Sequence, residues 1–173
     1  MKPSLKWLSA AACAALVAVG SPTAARAQDA GPGGGPYQQV ISANPLGLLA
    51  EFFNAEYERK FSPFSTAGLG GSTFGADGDD YVNADVFWRY YPQGTPLDGF
   101  AFGIKAGITS FDGDIYPGAG FDANYSWLLG ARNNFYVGVG IGAKRLFGEP
   151  DDSDIDFLEF IPTIRLVNVG FAF

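Results

Sequence analysis

The sequence contains no histidine, and its single cysteine, Cys13, lies in an apolar stretch near the N-terminus. Without imidazole the chain has no ordinary general base, no Ser-His triad and none of the common zinc ligand sets. Charge is scarce as well. Only 17% of residues are Asp, Glu, Lys or Arg while 47% are apolar, which excludes the polar, highly charged composition of a disordered chain. The formal charge of −7 also leaves no basic face of the kind a nucleic-acid binder needs. No apolar run reaches the roughly 20 residues of a membrane-spanning helix, and no segment sustains a helical period. What the 173 residues hold in quantity is glycine, 24 in all, and aromatic side chains, at 16%. The length suits one domain.

Lys2 and Lys6 precede an apolar stretch from Trp7 to Val19, followed by Gly20, Ser21, Pro22 and the small-x-small triplet Ala25-Arg26-Ala27. This pattern reads as a secretory signal peptide over residues 1–27. A lipoprotein reading of Cys13 fails, because Ala10 stands where a bulky aliphatic residue is wanted. Cleavage after Ala27 removes Lys2, Lys6 and Arg26, lowering the 11 cations to 8 against 18 acids, a net charge of −10. It also removes Cys13, so the exported chain has neither a disulfide nor a thiol nucleophile. Residues 28–36, rich in Gly and Pro, read as a flexible leader, and residues 37–173 as the folded domain.

From Tyr37 onward, segments of about ten residues with period-two alternation are separated by polar turns. Strands are predicted over 38–48, 51–61, 64–74, 81–91, 99–111, 119–130, 134–146 and 159–173. In the fifth, Phe100, Phe102, Ile104, Ala106 and Ile108 oppose Gly103, Lys105 and Gly107; in the seventh, Phe135, Val137, Val139, Ile141 and Ala143 oppose Tyr136, Gly138, Gly140, Gly142 and Lys144. In the last, Ile161, Thr163, Val167, Val169, Phe171 and Phe173 fall on one face. Arg165 shares it, and would face lipid near the outer interface, where a long cation can reach head groups.

One face is apolar and the other mixes glycine with charge, so the expected fold is all-β, an eight-stranded antiparallel up-and-down barrel. A soluble barrel would hide the apolar set, whereas a transmembrane barrel shows it to lipid and turns the charges inward. Loop parity favours the transmembrane form. The connections 75–80, 112–118 and 147–158 are acidic and the last two fairly long, while the intervening turns at 62–63, 92–97 and 131–133 are mostly shorter and not acidic. Aromatics near the strand ends fit interfacial girdles: Phe61, Phe64, Tyr90, Tyr91, Phe135 and Phe173 at one end, Phe74, Tyr81, Phe111, Tyr116 and Phe147 at the other. The alternation that closes on Phe171 and Phe173 is similar to the assembly signal of bacterial outer-membrane barrels.

Asn44-Pro45-Leu46-Gly47-Leu48-Leu49, followed by Glu56-Tyr57-Glu58-Arg59, resembles the opening strands of a family of small outer-membrane β-barrel proteins. Val169-Gly170-Phe171-Ala172-Phe173 is similar to the last strand of that family. The resemblance implies an eight-stranded barrel of the OmpA and OmpW type of architecture and carries over no catalytic residue.

The inner faces collect Glu56, Glu58, Asp85 and Asp122 with Lys60, Arg89, Lys105 and Lys144. Such a set could relay protons or line a polar path, but an eight-stranded barrel is just filled by its side chains, so a structural charge network is the expected role. Asp152, Asp154 and Asp156 alternate like the start of a calcium loop, yet Phe157 replaces the expected glycine and no Glu closes the site, so the motif fails. A looser divalent site in the acidic loops stays open as an alternative to a solvated loop. No catalytic, metal-binding or cofactor-binding residue is assigned, and no cofactor is expected.

The expectation is a non-enzymatic integral protein of the bacterial outer membrane with a structural or surface-interaction role. Its partners would be membrane lipid, lipopolysaccharide and the barrel-assembly machinery, with no nucleic acid, and the chain would be a monomer. A narrow conduit or binding site for small apolar molecules is the alternative, which measurable conductance would favour. A lipid-modifying enzyme comes third, and altered lipid A on overexpression would favour it.

Overall fold

The computed structural model describes residues 36–45, 47, 52–76, 79–111, 113–147 and 160–173. The expected signal peptide, most of the expected leader, part of the 44–49 motif and the aspartates of the expected 147–158 loop lie outside these residues. Eight strands form among those described: β1 (Gln39–Ala43), β2 (Phe52–Ser62), β3 (Ser65–Ala76), β4 (Asp79–Tyr90), β5 (Gly99–Phe111), β6 (Asp114–Leu129), β7 (Phe135–Leu146) and β8 (Phe160–Ala172). Each pairs antiparallel with its neighbour in sequence, and β1 pairs with β8 to close the barrel. The seam pairs Val40–Ala43 with Val169–Ala172. At the seam, the Phe173 carbonyl accepts hydrogen bonds from the backbone N–H groups of Gln38 and Gln39, at 3.1 and 2.9 Å.

The alternation places large apolar side chains outside. Ile41, Leu69, Val86, Phe102, Ile104, Phe121, Ile141, Ile164, Leu166 and Phe171 are all exposed, Ile141 to 69%. Charged and polar residues turn inward: Glu58, Arg89, Asp122, Lys144 and Arg165 are each buried. Inward glycines make the space for them. A Cβ at Gly103 would collide with the Asp122 carboxylate, and one at Gly142 would press on Asp122 and Thr163.

Two connections are tighter than expected. β3 runs to Ala76 and β4 starts at Asp79, and the expected 112–118 loop is a hairpin at 112–113, since β6 begins at Asp114 and pairs Asp114 with Phe111. Gly113 carries left-handed backbone of the kind such a turn requires, with φ of 97°. Tyr116 and Pro117, placed in a loop by their neighbouring acids and glycines, instead pair with Thr109 and Ile108.

Strand β8 departs from simple alternation. Gly138 pairs with Asn168 and Gly140 with Arg165, so Leu166 and Val167 together oppose Val139. This β-bulge inverts the facing of everything before it. Ile164 and Leu166 point out, and Arg165 is 7% exposed, which corrects the sequence expectation of an outward Arg165 sharing a face with Val169.

The girdle expectation also needs correction. Phe61, Phe64, Tyr90, Phe135 and Phe173 are exposed at the end that carries Tyr37 and Phe173, here the terminus side, but Tyr91 is 1% exposed and turns inward. At the opposite, loop-side end Phe52, Phe74, Tyr81 and Phe111 occupy one register row across four consecutive strands. They share the facing of Glu56, Asp85 and Lys105, so they form an internal collar at the mouth instead of an outer girdle. The Tyr81 and Phe111 rings are 5.2 Å apart, and the Tyr116 ring is 6.4 Å from Phe111.

Candidate functional site

The interior divides into three levels. Nearest the termini, the 91–98 turn folds into the barrel, and Leu97, Tyr136, Val40 and Ala172 make a small apolar cluster with Tyr37 and Leu128 against it. Leu97 is fully buried and takes a positive φ of 76°, a strained conformation held by this packing. Ser126 Oγ ties the turn down by donating to the Leu97 carbonyl at 3.1 Å.

Above the cluster sits an ionic layer centred on Arg89. Its Nη1 donates to Glu56 at 3.0 Å and Glu58 at 2.8 Å, and its Nε lies 3.5 Å from Asp122. The ring of Phe87 underlies the guanidinium at 4.0 Å. Glu58 receives two further hydrogen bonds, from Thr66 Oγ1 at 2.6 Å and from the Tyr91 hydroxyl at 2.7 Å. Burial, reinforced by the neighbouring Glu58 carboxylate, holds the Tyr91 hydroxyl well above its usual range, so it stays a donor. Arg165 Nη2 joins the layer through Glu56 at 3.1 Å and also donates to the Tyr136 hydroxyl at 3.0 Å.

A second group surrounds Lys144, whose ammonium donates to Asp85 at 2.6 Å, Asn83 at 2.7 Å and Thr109 at 3.1 Å. Three acceptors satisfy its three N–H donors. Asn83 in turn donates to Asp85 at 2.8 Å. Asn124 donates to Asp122, and Lys105 donates to Thr163 Oγ1 at 2.6 Å.

The structure thus brings Glu56, Glu58, Asp85, Asp122, Arg89, Lys105 and Lys144 into one lumen, as the alternation indicated. Sequence reasoning missed Arg165, Tyr91, Thr66, Thr109, Asn168 and the inward Leu97. A buried polar row on β3 and β5 was readable from Thr66 and Thr109, but the inward turns of Arg165 and Leu97 depend on a bulge and a loop conformation with no sequence period. Beyond the ionic layer, toward the loop-side end, lies a cavity of about 400 Å³ rimmed by the aromatic collar.

No family model matches the chain, and neither a curated protein nor a solved structure is significantly similar to it. The closed eight-stranded antiparallel barrel is compatible with the OmpA and OmpW type of architecture, and the likeness rests on architecture alone.

Chemically, each carboxylate of the lumen is engaged by a cation or a hydrogen-bond donor. Buried charges so arranged favour a unique, rigid interior over a labile proton. Among the described residues no group of three or more His, Cys, Asp or Glu could hold a metal ion.

Proposed function

We propose that this chain is a non-enzymatic integral protein of a bacterial outer membrane, with a structural or surface-interaction role. The observation that carries the reading is the inverted polarity of a closed barrel: an apolar belt outside and an ion-paired network inside. In water such a belt would be an aggregation surface, whereas lipid makes it the stable arrangement. The signal-like N-terminus and the alternation ending on Phe171 and Phe173 support export and assembly by the barrel-assembly machinery. Lipid and lipopolysaccharide would contact the belt and its loop-side rim. With its strands closed on one another, the barrel is read as a monomer.

The conduit alternative has less support, because Tyr91, Leu97, Tyr136 and Val40 fill the terminus-side end of the lumen. A lipid-modifying enzyme has less still, since the interior carboxylates are tied up in ion pairs and hydrogen bonds. The test is fractionation of cells expressing the full chain. Sedimentation with the outer membrane, resistance to urea extraction and heat-modifiable electrophoretic mobility are expected. A folded, soluble periplasmic protein would overturn the membrane reading.

A further inference from the structure

We infer that the loop-side half of the lumen is a binding cup for a small acid with an apolar body, whose carboxylate is taken by Arg165 and Lys105. At about 400 Å³ the cavity falls within the range of small-molecule sites and equals roughly a dozen waters at ~30 Å³ each. That is room for a ligand of about a dozen non-hydrogen atoms.

The polar end of the cup has donors to spare. Arg165 lines the cavity and is 7% exposed; its Nη2 serves Glu56, Tyr136 and Ser42, while its Nε and Nη1 lie just beneath the cavity surface with no hydrogen-bond partner, so a carboxylate meets them when the side chain turns toward the cup. A guanidinium offers its donors as a planar fork suited to a carboxylate. Lys105 lines the same cavity and gives its hydrogen bond to the neutral Thr163, unlike Lys144, which is bound to Asp85. Thr163 and Arg165 are successive inward positions of β8, about 6.6 Å apart along the strand, so both cations face one space.

The acceptors are already occupied. Glu56 is shared by Arg89 and Arg165, Asp85 is held by Lys144 and Asn83, and Asp122 by Arg89 and Asn124. Unfilled donors beside filled acceptors select an anion over an amine. At the other end Phe52, Phe74, Tyr81 and Phe111 supply an aromatic wall for an apolar body. The cup lies inside the barrel whatever medium surrounds it, so this inference and the membrane reading can fail separately.

The test is calorimetric titration of the folded protein in lipid nanodiscs with phenylbutanoate and with octanoate. Phenylbutylamine serves as the charge-reversed probe and empty nanodiscs as the blank. Saturable one-to-one binding of at least one acid is expected, the tighter of the two showing whether the body is aromatic or aliphatic, with no binding of the amine. Arg165→Gln should weaken the acid by about tenfold or more. Gly70→Leu keeps every charge and starts from an open position, where an added Cβ meets nothing nearer than Glu56 Cγ at 3.5 Å, so it should fold and block binding by filling the cup. Equal binding of amine and acid, unchanged acid binding in Gly70→Leu, or no saturable signal above the blank would each overturn the inference.

Discussion

Arg165 Nη2 lies 3.1 Å from Glu56 Oε2, joining β8 to β2 over the intervening β1. The contact exists because Leu166 and Val167 together oppose Val139 and turn Arg165 into the lumen. Were Arg165 on the apolar face, Arg165→Leu would stabilise the barrel in lipid. From its buried position the same substitution strips Glu56 of one of its two cations, and a loss of about 2–4 kcal/mol is expected in urea unfolding from vesicles. The sign of the change decides the facing.

Arg89 contacts three carboxylates, Glu56, Glu58 and Asp122, from a nearly fully buried position. Arg89→Met leaves buried negative charge uncompensated and should cost about 3–5 kcal/mol. A loss near zero in the same assay would mean that water reaches this layer.

Val169 follows the bulge and faces outward between exposed Leu166 and Phe171. If lipid surrounds the belt, Val169→Arg should cost up to about 2–4 kcal/mol, less as the site nears the interface. A soluble barrel would tolerate it with a change well under 1 kcal/mol, since surface substitutions usually stay within about ±0.5 kcal/mol.

Phe173 contributes to the seam through its backbone, while its ring is exposed. Phe173→Gln therefore keeps the hydrogen bonds to Gln38 and Gln39 and removes only the aromatic ring. Refolding from urea into vesicles should change little, whereas assembly in cells should fall sharply, with the exported protein degraded. Normal surface yield of the variant would show that the ring is no assembly signal.

The terminus-side end is filled by the 91–98 turn and the Arg89 layer beside it. Purified protein in a planar bilayer should give no stepwise conductance. Replacing residues 92–97 by a short Gly-Asn hairpin should introduce one only if the ionic layer opens as well. Conductance by the unmodified chain would favour the conduit reading.

Most of the strands, their order and the inner charges other than Arg165 were legible in the sequence, because a strand's side chains alternate with a period of two and glycine marks the face where long side chains need room. The alternation of β7, for example, is kept without interruption from Phe135 to Lys144. What only the tertiary structure decided was every feature that breaks or transcends that period. One extra residue at Leu166 and Val167 reverses the facing of Arg165 without altering composition. Tyr81 and Phe111 keep the parity of Asp85 and Lys105, so their inward facing was legible too; that they meet Phe52 and Phe74 in one collar depends on register, which is set by pairing around the closed barrel. Tyr91 only continues the inward parity of Arg89, but Leu97 turns inward because the barrel's end must be filled, a demand that arises from three-dimensional closure and leaves no local trace in the chain.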